Sequence, residues 1–355
     1  MHVAEKVKLI QLNESPMNKY IFAFILSSFL FFLSCAPQEE KAIHYSGNAL
    51  GTTFHITYFD EKGFDAEKSI DSVFRVINRS MSTYLENSDI SKINDGDSSI
   101  VVDTMFAEVF RMSKKIHHKT DGYFDPTVGK LVNFYGFGPE KMHLKIDSVT
   151  VDSLMKYVGF DKIELTTAHK IIKAHPSIYL DFNAIAKGYA VDRLAKMLEQ
   201  HDIENYLVEI GGELVAKGKN LNGGKSWRVG IDDPGSNLRD RELSAVIEIK
   251  NKGMATSGNY RKFRVDSITG EKYVHTLDPM TGYPARNTLL SATVLAKNCA
   301  LADGYATAFM AMGLEKSQEI LQNHPELEAY LIYAEKDSLG IFMSKGFEKH
   351  LVQKE

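Results

Sequence analysis

The spacing of apolar residues predicts five main helices along this chain. In residues 65–84, the apolar side chains Ile70, Val73, Phe74 and Ile77 recur every three or four positions, as on the buried face of a helix. The same kind of spacing is found in residues 104–120, 186–202, 298–313 and 317–325.

Alternation of apolar and polar residues predicts strands between these helices. The clearest case is "ALGTTFHITYF", residues 49–59, which is rich in Thr, Phe and Ile and is predicted to form one strand. Helices and strands mix without a regular strand–helix–strand alternation, so the order predicts an α+β fold rather than a doubly wound sheet. Further strands are predicted at residues 205–219, 227–233, 243–251, 273–278 and 329–335.

One apolar run lies near the N-terminus. Residues 20–33 follow Lys19 and are almost entirely apolar. Such a run is short for a membrane-spanning helix but suits the core of a signal peptide. Residues 1–34 are therefore predicted to be a signal peptide, with Met17 as an alternative start.

The end of that run contains a candidate lipidation site. Small Ser34 directly precedes Cys35, as in bacterial lipoproteins, although Phe32 replaces the Leu-type residue usually found three positions before the cysteine. We predict that Cys35 is lipidated, that residues 35–43 form a tether, and that the protein is held at a membrane of the cell envelope, facing the periplasm or the exterior. A plain membrane anchor and ordinary secretion remain as alternatives.

The rest of the chain has the composition of a folded, water-soluble body. Of its 355 residues, 44% are hydrophobic and 25% are charged, which suffices for one large or two medium domains. The net charge of -4 argues against nucleic-acid binding. Cys299 is the one cysteine left after Cys35, so we expect no internal disulfide and no zinc site, and its apolar surroundings predict a core thiol.

Glycine and polar residues are concentrated in a few stretches between the predicted elements. Glycine allows a backbone to approach a ligand closely, and exposed N–H groups can then meet an anion. The stretches contain no nucleotide-binding loop of the Walker or GxGxxG kind, so we expect no NAD(P) binding. They are residues 120–129, 180–192, 209–214, 230–234, 254–260 and 275–284.

Two of these stretches also have simple structural explanations. "TDGYFDPTVG" at 120–129 can end a helix and form a turn, and "GIDDP" at 230–234 can be a turn alone. "HTLDPMTGYP" at 275–284 is a stronger candidate, because a structural turn rarely needs its histidine.

Asp303 and Thr307 are four residues apart in "ADGYAT" and therefore share one face of the predicted helix. They could be two ligands of a hard cation such as Mg²⁺. Alternatively, Asp303 caps a helix and Thr307 bonds back to a carbonyl group. The residues by themselves leave both interpretations open.

Five motifs, taken together and in order, resemble the ApbE family of FAD:protein FMN transferases. They are "DFNAIAKGYAVD", "EIGGEL", "ATSGNY", "HTLDPMTG" and "ADGYAT", and the resemblance covers residues 44–345, which leaves residues 346–355 as a C-terminal tail. The resemblance implies an ApbE-like, T-fold-like arrangement of mixed helices and sheets around a central FAD cleft. It also implies that FAD is the substrate, that Mg²⁺ is required, and that FMN is moved onto a Thr or Ser of a partner protein with release of AMP.

The resemblance further implies roles for individual residues. Asp303, Thr307 and the backbone carbonyl of Ala184 match the metal ligands of the family. His275 and Asp181 join Asp303 and Thr307 as catalytic candidates. A second carboxylate, Asp278, is an equally plausible acid–base group, and sequence does not choose between the two acids.

The family's FAD contacts match further positions. The Tyr84 ring can pack on a planar ligand, and Lys187 can meet a phosphate or a ring acceptor, unless it is a surface lysine. Leu50 stands where the family often has Met, and it keeps the bulk and apolarity of that position. The implied FAD-binding residues are Leu50, Ser82, Thr83, Tyr84, Asp125, Lys187, Gly212, Glu213, Ser257 and His275.

Two other functions compete with flavin transfer. In an FAD pyrophosphatase, water would replace the acceptor hydroxyl and yield FMN and AMP. A flavin-binding or storage lipoprotein would carry out no reaction, and it would not need a metal site. For a transferase, the resemblance implies that the acceptor is a subunit of a Na⁺-pumping quinone reductase or of a related electron-transfer complex.

Overall fold

The computed structural model describes residues 41–140, 146–236, 242–259, 263–265, 272–336 and 338–352. The predicted signal peptide and the predicted lipidation site at Cys35 lie outside these residues. Within the described part of the chain, no helix is both long and apolar enough to cross a bilayer.

An antiparallel sheet of eight strands forms the centre of the fold. Its strand order is β1-β2-β5-β6-β9-β12-β13-β14, and every neighbouring pair is antiparallel. These strands are β1 (Lys41–Ala49), β2 (Thr52–Asp60), β5 (Asn205–Ile210), β6 (Glu213–Lys217), β9 (Lys252–Gly258), β12 (Leu289–Ala296), β13 (Glu328–Glu335) and β14 (Ser338–Met343). Three two-stranded pairs are β3 (Ile163–Leu165) with β4 (Ile171–Lys173), β7 (Trp227–Asp232) with β8 (Leu243–Ile249), and β10 (Phe263–Val265) with β11 (Lys272–Val274).

Several helices begin after a residue whose side chain accepts one of their first N–H groups. Asp103 and Asn298 are N-caps whose side chains accept the N–H groups of Phe106 and Leu301. The described helices are α1 (Glu67–Met81), α2 (Asp89–Asn94), α3 (Thr104–Lys119), α4 (Gly129–Phe134), α5 (Ser148–Met155), α6 (Ala186–Glu199), α7 (Cys299–Met312) and α8 (Leu314–Asn323).

Both faces of the large sheet are buried. Val294 and Leu295 are neighbours on β12, yet Val294 belongs to the core that includes the helices and Leu295 to the core that includes β7 and β8. Successive side chains of a strand point to opposite faces, so near-continuous apolar strands are expected in a sheet covered on both sides. A third, smaller apolar cluster lies around α4 and α5 and includes Leu277.

The predicted α+β class is confirmed, but the strand prediction at residues 49–59 was wrong at its start. Leu50 and Gly51 have φ angles of 51° and 76° and form a two-residue hairpin between β1 and β2. Strand β1 begins at Lys41, so residues 41–43 of the predicted tether belong to the sheet.

Two further boundaries differ from the sequence prediction. The strand predicted at 273–278 ends at Val274, after which the chain turns, with the N–H of Asp278 donating to the carbonyl of Tyr283 at 2.8 Å. Residues 346–352 of the predicted tail pack against the fold. There Phe347 is fully buried, and the N–H of Val352 donates to a carbonyl of β8 at 2.9 Å.

Candidate functional site

Two glycine-containing hairpins lie side by side where strands β1, β2, β5 and β6 of the large sheet end. One contains Leu50 and Gly51, and the other contains Gly211 and Gly212, whose φ angles are 61° and 105°. The Gly211 N–H donates to a carbonyl of β2 at 3.0 Å, and a Cβ at this position would lie 2.7 Å from the side chain of Thr52. The close approach therefore requires glycine, and it brings the predicted FAD contacts Leu50 and Gly212 to the same end of the sheet.

Helices α6 and α7 pack together in antiparallel directions beside this end of the sheet. The N–H of Gly188 donates to Asp303 Oδ2 at 3.0 Å, and a Cβ at Gly188 would lie 2.8 Å from the Asp303 Cβ. One turn further along α6, the Asp192 carboxylate accepts two N–H groups at the start of α7. In the other direction, Ala184 lies in the turn directly before α6, and Thr307 lies one turn beyond Asp303 on α7.

Three charged side chains meet beside this helix pair. Lys187 Nζ lies 2.5 Å from Glu213 Oε1, and both Glu213 and Asp303 are buried. Burial raises the pKa of Asp303 to about 8, with the charge of Glu213 adding to the effect and Lys187 opposing it. Burial also raises the pKa of Glu213, again against Lys187. For Lys187, burial would lower the pKa, but Glu213 and Asp303 outweigh it, and the pKa is raised.

The local charge balance fits a divalent cation. Two buried carboxylates share one ammonium group, and Glu213 Oε2 is buried without a hydrogen-bond partner. Such a group is costly unless a further positive charge or donor reaches it. Among the described residues, no three His, Cys, Asp or Glu side chains converge as a metal site. A set of one carboxylate, the Thr307 hydroxyl and a backbone carbonyl instead suits Mg²⁺, which keeps waters and takes substrate phosphates.

The alternative interpretation of Asp303 as a helix cap is also partly supported. Asp303 lies inside α7, whose N-cap is Asn298, but its Oδ2 accepts an N–H from the first turn of α6. Thr307 Oγ1 lies 3.5 Å from Ser257 Oγ near the end of β9, which is at the limit of a hydrogen bond. A single capping bond to one oxygen does not prevent Asp303 from also binding a cation.

The segment after α1 lies beside the chain that leads into α6. The Ser82 carbonyl accepts a hydrogen bond from the Ser88 hydroxyl at 2.7 Å. Thr83 is buried, and its hydroxyl accepts from Asn183 Nδ2 at 3.3 Å. Tyr84 is 61% exposed, so its ring surface is open to a planar ligand.

Asp181 belongs to the same neighbourhood. It is buried, and its Oδ1 accepts the N–H of Asn183 at 2.7 Å. Burial raises the pKa of Asp181, and partial burial raises the pKa of Tyr84, with the Asp181 charge adding to that effect. Thr83 and Asp181 are thus both hydrogen-bonded to Asn183, next to Ala184, and the FAD contacts of this segment stay a prediction.

Asp125 shapes a turn between α3 and α4. Its carboxylate accepts the N–H and the hydroxyl of Thr127, at 2.8 and 2.6 Å, and the N–H of Phe160 at 3.0 Å. A cavity of about 370 Å³ borders this turn, and its walls include His117, Met155 and Met280. The role of Asp125 as an FAD contact stays a prediction, beside its evident role in holding the turn.

His275 and Asp278 lie in the loop after β11. The His275 ring packs edge-on against Phe137, with ring centres 6.3 Å apart. Asp278 Oδ1 accepts the N–H of Met280 at 2.8 Å and so stabilises the turn. This favours a structural role for Asp278, whereas the acid–base role of His275 stays a prediction.

Asp192 was not among the site residues predicted from the sequence. It is part of "DFNAIAKGYAVD", but only its spacing of four from Gly188 and eight from Ala184 could have drawn attention to it. Its partners at the start of α7 are more than 100 residues away in sequence.

Comparisons with known proteins match one family along most of the chain. The ApbE family model matches residues 50–331. The FAD:protein FMN transferase of Haemophilus influenzae is 36% identical over 96% of this chain and all of that protein, and that of Escherichia coli K12 is 33% identical over 92% of this chain and 96% of its own length. The flavin transferase ApbE from Vibrio cholerae has a similar structure, with a TM-score of 0.78 at 33% identity over 88% of this chain and all of the solved chain.

Proposed function

This chain belongs to the ApbE family and is a flavin transferase, and from that premise we propose that it transfers the FMN half of FAD, in a Mg²⁺-dependent reaction, to a Thr or Ser hydroxyl of a partner protein. The carrying observation is the excess of buried carboxylate over positive charge at Lys187, Glu213 and Asp303. A metal bound there would sit where a pyrophosphate must be neutralised.

The proposed reaction exchanges one phosphorus–oxygen bond for another. The acceptor hydroxyl oxygen bonds to the phosphorus of the FMN half, while the bond from that phosphorus to the bridging oxygen breaks. The bridging oxygen leaves as part of AMP. The hydroxyl proton passes to Asp181, to His275 or to a phosphate oxygen.

The residues of the α6–α7 pair support this chemistry in different ways. Asp303, Thr307 and the Ala184 carbonyl would hold the metal, which when bound stabilises negative charge on the pyrophosphate oxygens. Lys187 supplies a fixed positive charge, held by Glu213 at 2.5 Å. The exposed Tyr84 ring offers a surface for the flavin or adenine ring.

One assay distinguishes the proposed transfer from its alternatives. The mature chain is incubated with FAD, Mg²⁺ and a domain carrying an acceptor Thr, and both the fluorescence of the denatured protein and free AMP are measured. Labelled acceptor with equal AMP supports transfer, AMP without label identifies a pyrophosphatase, and neither product identifies a binding protein. A metal chelator and the Asp303→Asn variant serve as controls.

The acceptor and the location are also part of the proposal. We place the acceptor Thr in an exposed segment of a Na⁺-pumping quinone reductase subunit or a related electron-transfer protein, and the enzyme on a membrane through a lipid at Cys35. Cys35→Ser should move the protein from the membrane fraction to the soluble fraction. Ser34→Ala keeps a small residue before the cysteine and should stay at the membrane, and equal retention of both variants would contradict lipidation.

A further inference from the structure

We propose that Asp192 is a positioning residue that fixes α7 against α6 and thereby sets the distance between the metal donors on α7 and the Ala184 carbonyl, which lies in the turn directly before α6. The proposal rests on the proposed function for its consequence, but its structural part can be tested without any metal. Asp192 itself touches neither donor.

The Asp192 carboxylate joins two helices through both of its oxygens. Oδ1 accepts the N–H of Cys299 at 2.8 Å, and Oδ2 accepts the N–H of Ala300 at 2.9 Å. These are two of the N–H groups that the first turn of a helix leaves without an internal partner. A carboxylate that binds both at once fixes the position and the direction of the α7 start relative to α6.

A local cap already exists on α7, but it satisfies a different N–H group, so Asp192 both stabilises the helix end and links it to α6. Asn298 precedes the helix and accepts the N–H of Leu301 at 3.0 Å. The two caps differ in one respect that matters here. Asn298 belongs to the same chain segment as α7, whereas Asp192 belongs to α6.

Contacts with β9 fix α7 in the direction perpendicular to the sheet. A Cβ at Gly253 would lie 2.2 Å from the Cys299 nitrogen, so the helix start rests directly on that strand. The Cys299 thiol also donates to the Met254 carbonyl at 3.3 Å. Sliding of α7 along α6 is opposed by close packing at Gly188, by the bond from Gly188 to Asp303 and by both oxygens of Asp192.

A shift of α7 relative to α6 would also move the metal donors, because helices are stiff over two turns. Asp192 and Gly188 are one turn apart on α6, opposite the start of α7 and Asp303, and Ala184 lies in the turn directly before α6. A shift at the Asp192 end therefore changes the separation of the Ala184 carbonyl from the Thr307 hydroxyl. Mg²⁺ tolerates such changes poorly, since it requires short distances and near-octahedral geometry.

The test compares Asp192→Asn with Asn298→Ala, which removes the local cap of the same helix. Amide hydrogen exchange of metal-free protein is followed in peptides that cover residues 186–190 and 299–302. We expect Asp192→Asn to speed exchange in both peptides by about tenfold, since it loosens the contact between helices. Asn298→Ala should speed exchange only in the α7 peptide.

A second measurement connects the position of the helices to the metal. Binding of Mn²⁺ to the same proteins, followed by electron paramagnetic resonance, should weaken by about tenfold or more in Asp192→Asn and by less than twofold in Asn298→Ala. If Asp192→Asn does not fold, Asp192→Glu keeps the charge but lengthens the side chain, and it should show the same pattern to a lesser degree.

The outcomes separate the two claims. Unchanged exchange at 186–190 in folded Asp192→Asn, or equal effects of the two caps on that peptide, would overturn the positioning role. Absence of Mn²⁺ binding by the unaltered protein, with the exchange pattern as expected, would instead contradict the proposed metal function and leave the link between the helices supported.

Discussion

Two buried glutamates at the start of strands differ in their charge environment. Glu213 begins β6 and Glu328 begins β13, and their side chains are 5% and 6% exposed. Glu213 faces one cation, Lys187, and retains an oxygen without a partner. The Glu328 oxygens lie 2.8 Å from Lys252, 2.6 Å from Lys349 and 2.8 Å from His350.

The pKa values of the two carboxyl groups shift in opposite directions. Burial raises the pKa of Glu213, and its single lysine does not reverse this. For Glu328, burial also acts to raise the pKa, but hydrogen bonds from Lys252, Lys349 and His350 outweigh it and lower the pKa. Similar exposure of two side chains therefore says little about function. The number of cations within reach distinguishes a carboxylate that stabilises the fold from one placed for a positively charged ligand.

Asp303→Asn should give the largest effect on activity. The amide keeps an oxygen for the Gly188 N–H but removes the anionic ligand, so FMN transfer should fall by roughly a hundredfold or more, about 2.7 kcal/mol in activation free energy. The free energy of unfolding in metal-free buffer should not fall, because the substitution replaces a buried carboxylate that has too few neighbouring cations with a neutral amide. Initial rates and denaturant unfolding measure the two effects. Near-normal transfer by the folded variant, with unchanged metal dependence, would contradict the metal site.

Glu328→Gln should show the reverse pattern. The free energy of unfolding should fall by about 1–3 kcal/mol, since the amide removes the negative charge that faces Lys252 and Lys349 and keeps one acceptor oxygen, while the folded fraction should transfer FMN at a near-normal rate. Glu335→Gln, an exposed position at the far end of the same strand, is the matched control and should change stability by less than about 0.5 kcal/mol. Equal stability of the two variants would show that the Glu328 group contributes little.

The pH dependence of the unfolding free energy should distinguish the unaltered protein from Glu328→Gln. Because the folded state lowers the pKa of Glu328, its stabilising contribution is present above the unfolded pKa and is lost as pH falls through the folded pKa. The unfolding free energies of the unaltered protein and Glu328→Gln should therefore differ at neutral pH and converge between about pH 5 and pH 3. Denaturant titrations across this range measure the difference, and a constant gap would contradict the expectation.

Thr307→Val should have the smallest effect. It keeps the side-chain shape and removes one neutral oxygen ligand, so transfer should fall by about tenfold, and raised Mg²⁺ should restore part of the rate. Thr307→Ser keeps the hydroxyl and should remain close to the unaltered protein. The rate measured against Mg²⁺ concentration is the readout, and equal behaviour of the Val and Ser variants would remove Thr307 from the ligand set.

The local part of the site could be predicted from sequence. Apolar spacing placed Asp303 and Thr307 one turn apart on a helix, and the structure has both on α7. The hairpin at Leu50 and Gly51 was missed, because Leu is an unusual residue for a positive φ angle and its flanks alternate like one continuous strand. Patterns of two to four residues show which residues share a face, but not where a strand reverses.

Contacts between distant segments could not be predicted in this way. Lys187 and Glu213 were both candidates, yet nothing in the sequence pairs them, since they lie on a helix and a strand that meet only in the folded protein. Nothing in the sequence distinguishes Asp192 and Glu328 from other acidic residues. The partners of Asp192 are 107 and 108 residues away, and those of Glu328 include residues 21 and 22 positions away, in the C-terminal segment.

Strand β1 sets a fixed length between the site and whatever precedes it. It runs from Lys41 to Ala49 and ends beside the Leu50–Gly51 hairpin, so its nine residues, already extended, span roughly 30 Å. A lipid at Cys35, as proposed, would be joined to the site through this stiff spacer as well as through the residues before it. Lengthening or shortening those residues would widen or narrow the zone that the enzyme can search for an acceptor hydroxyl, but the spacer itself would keep its length.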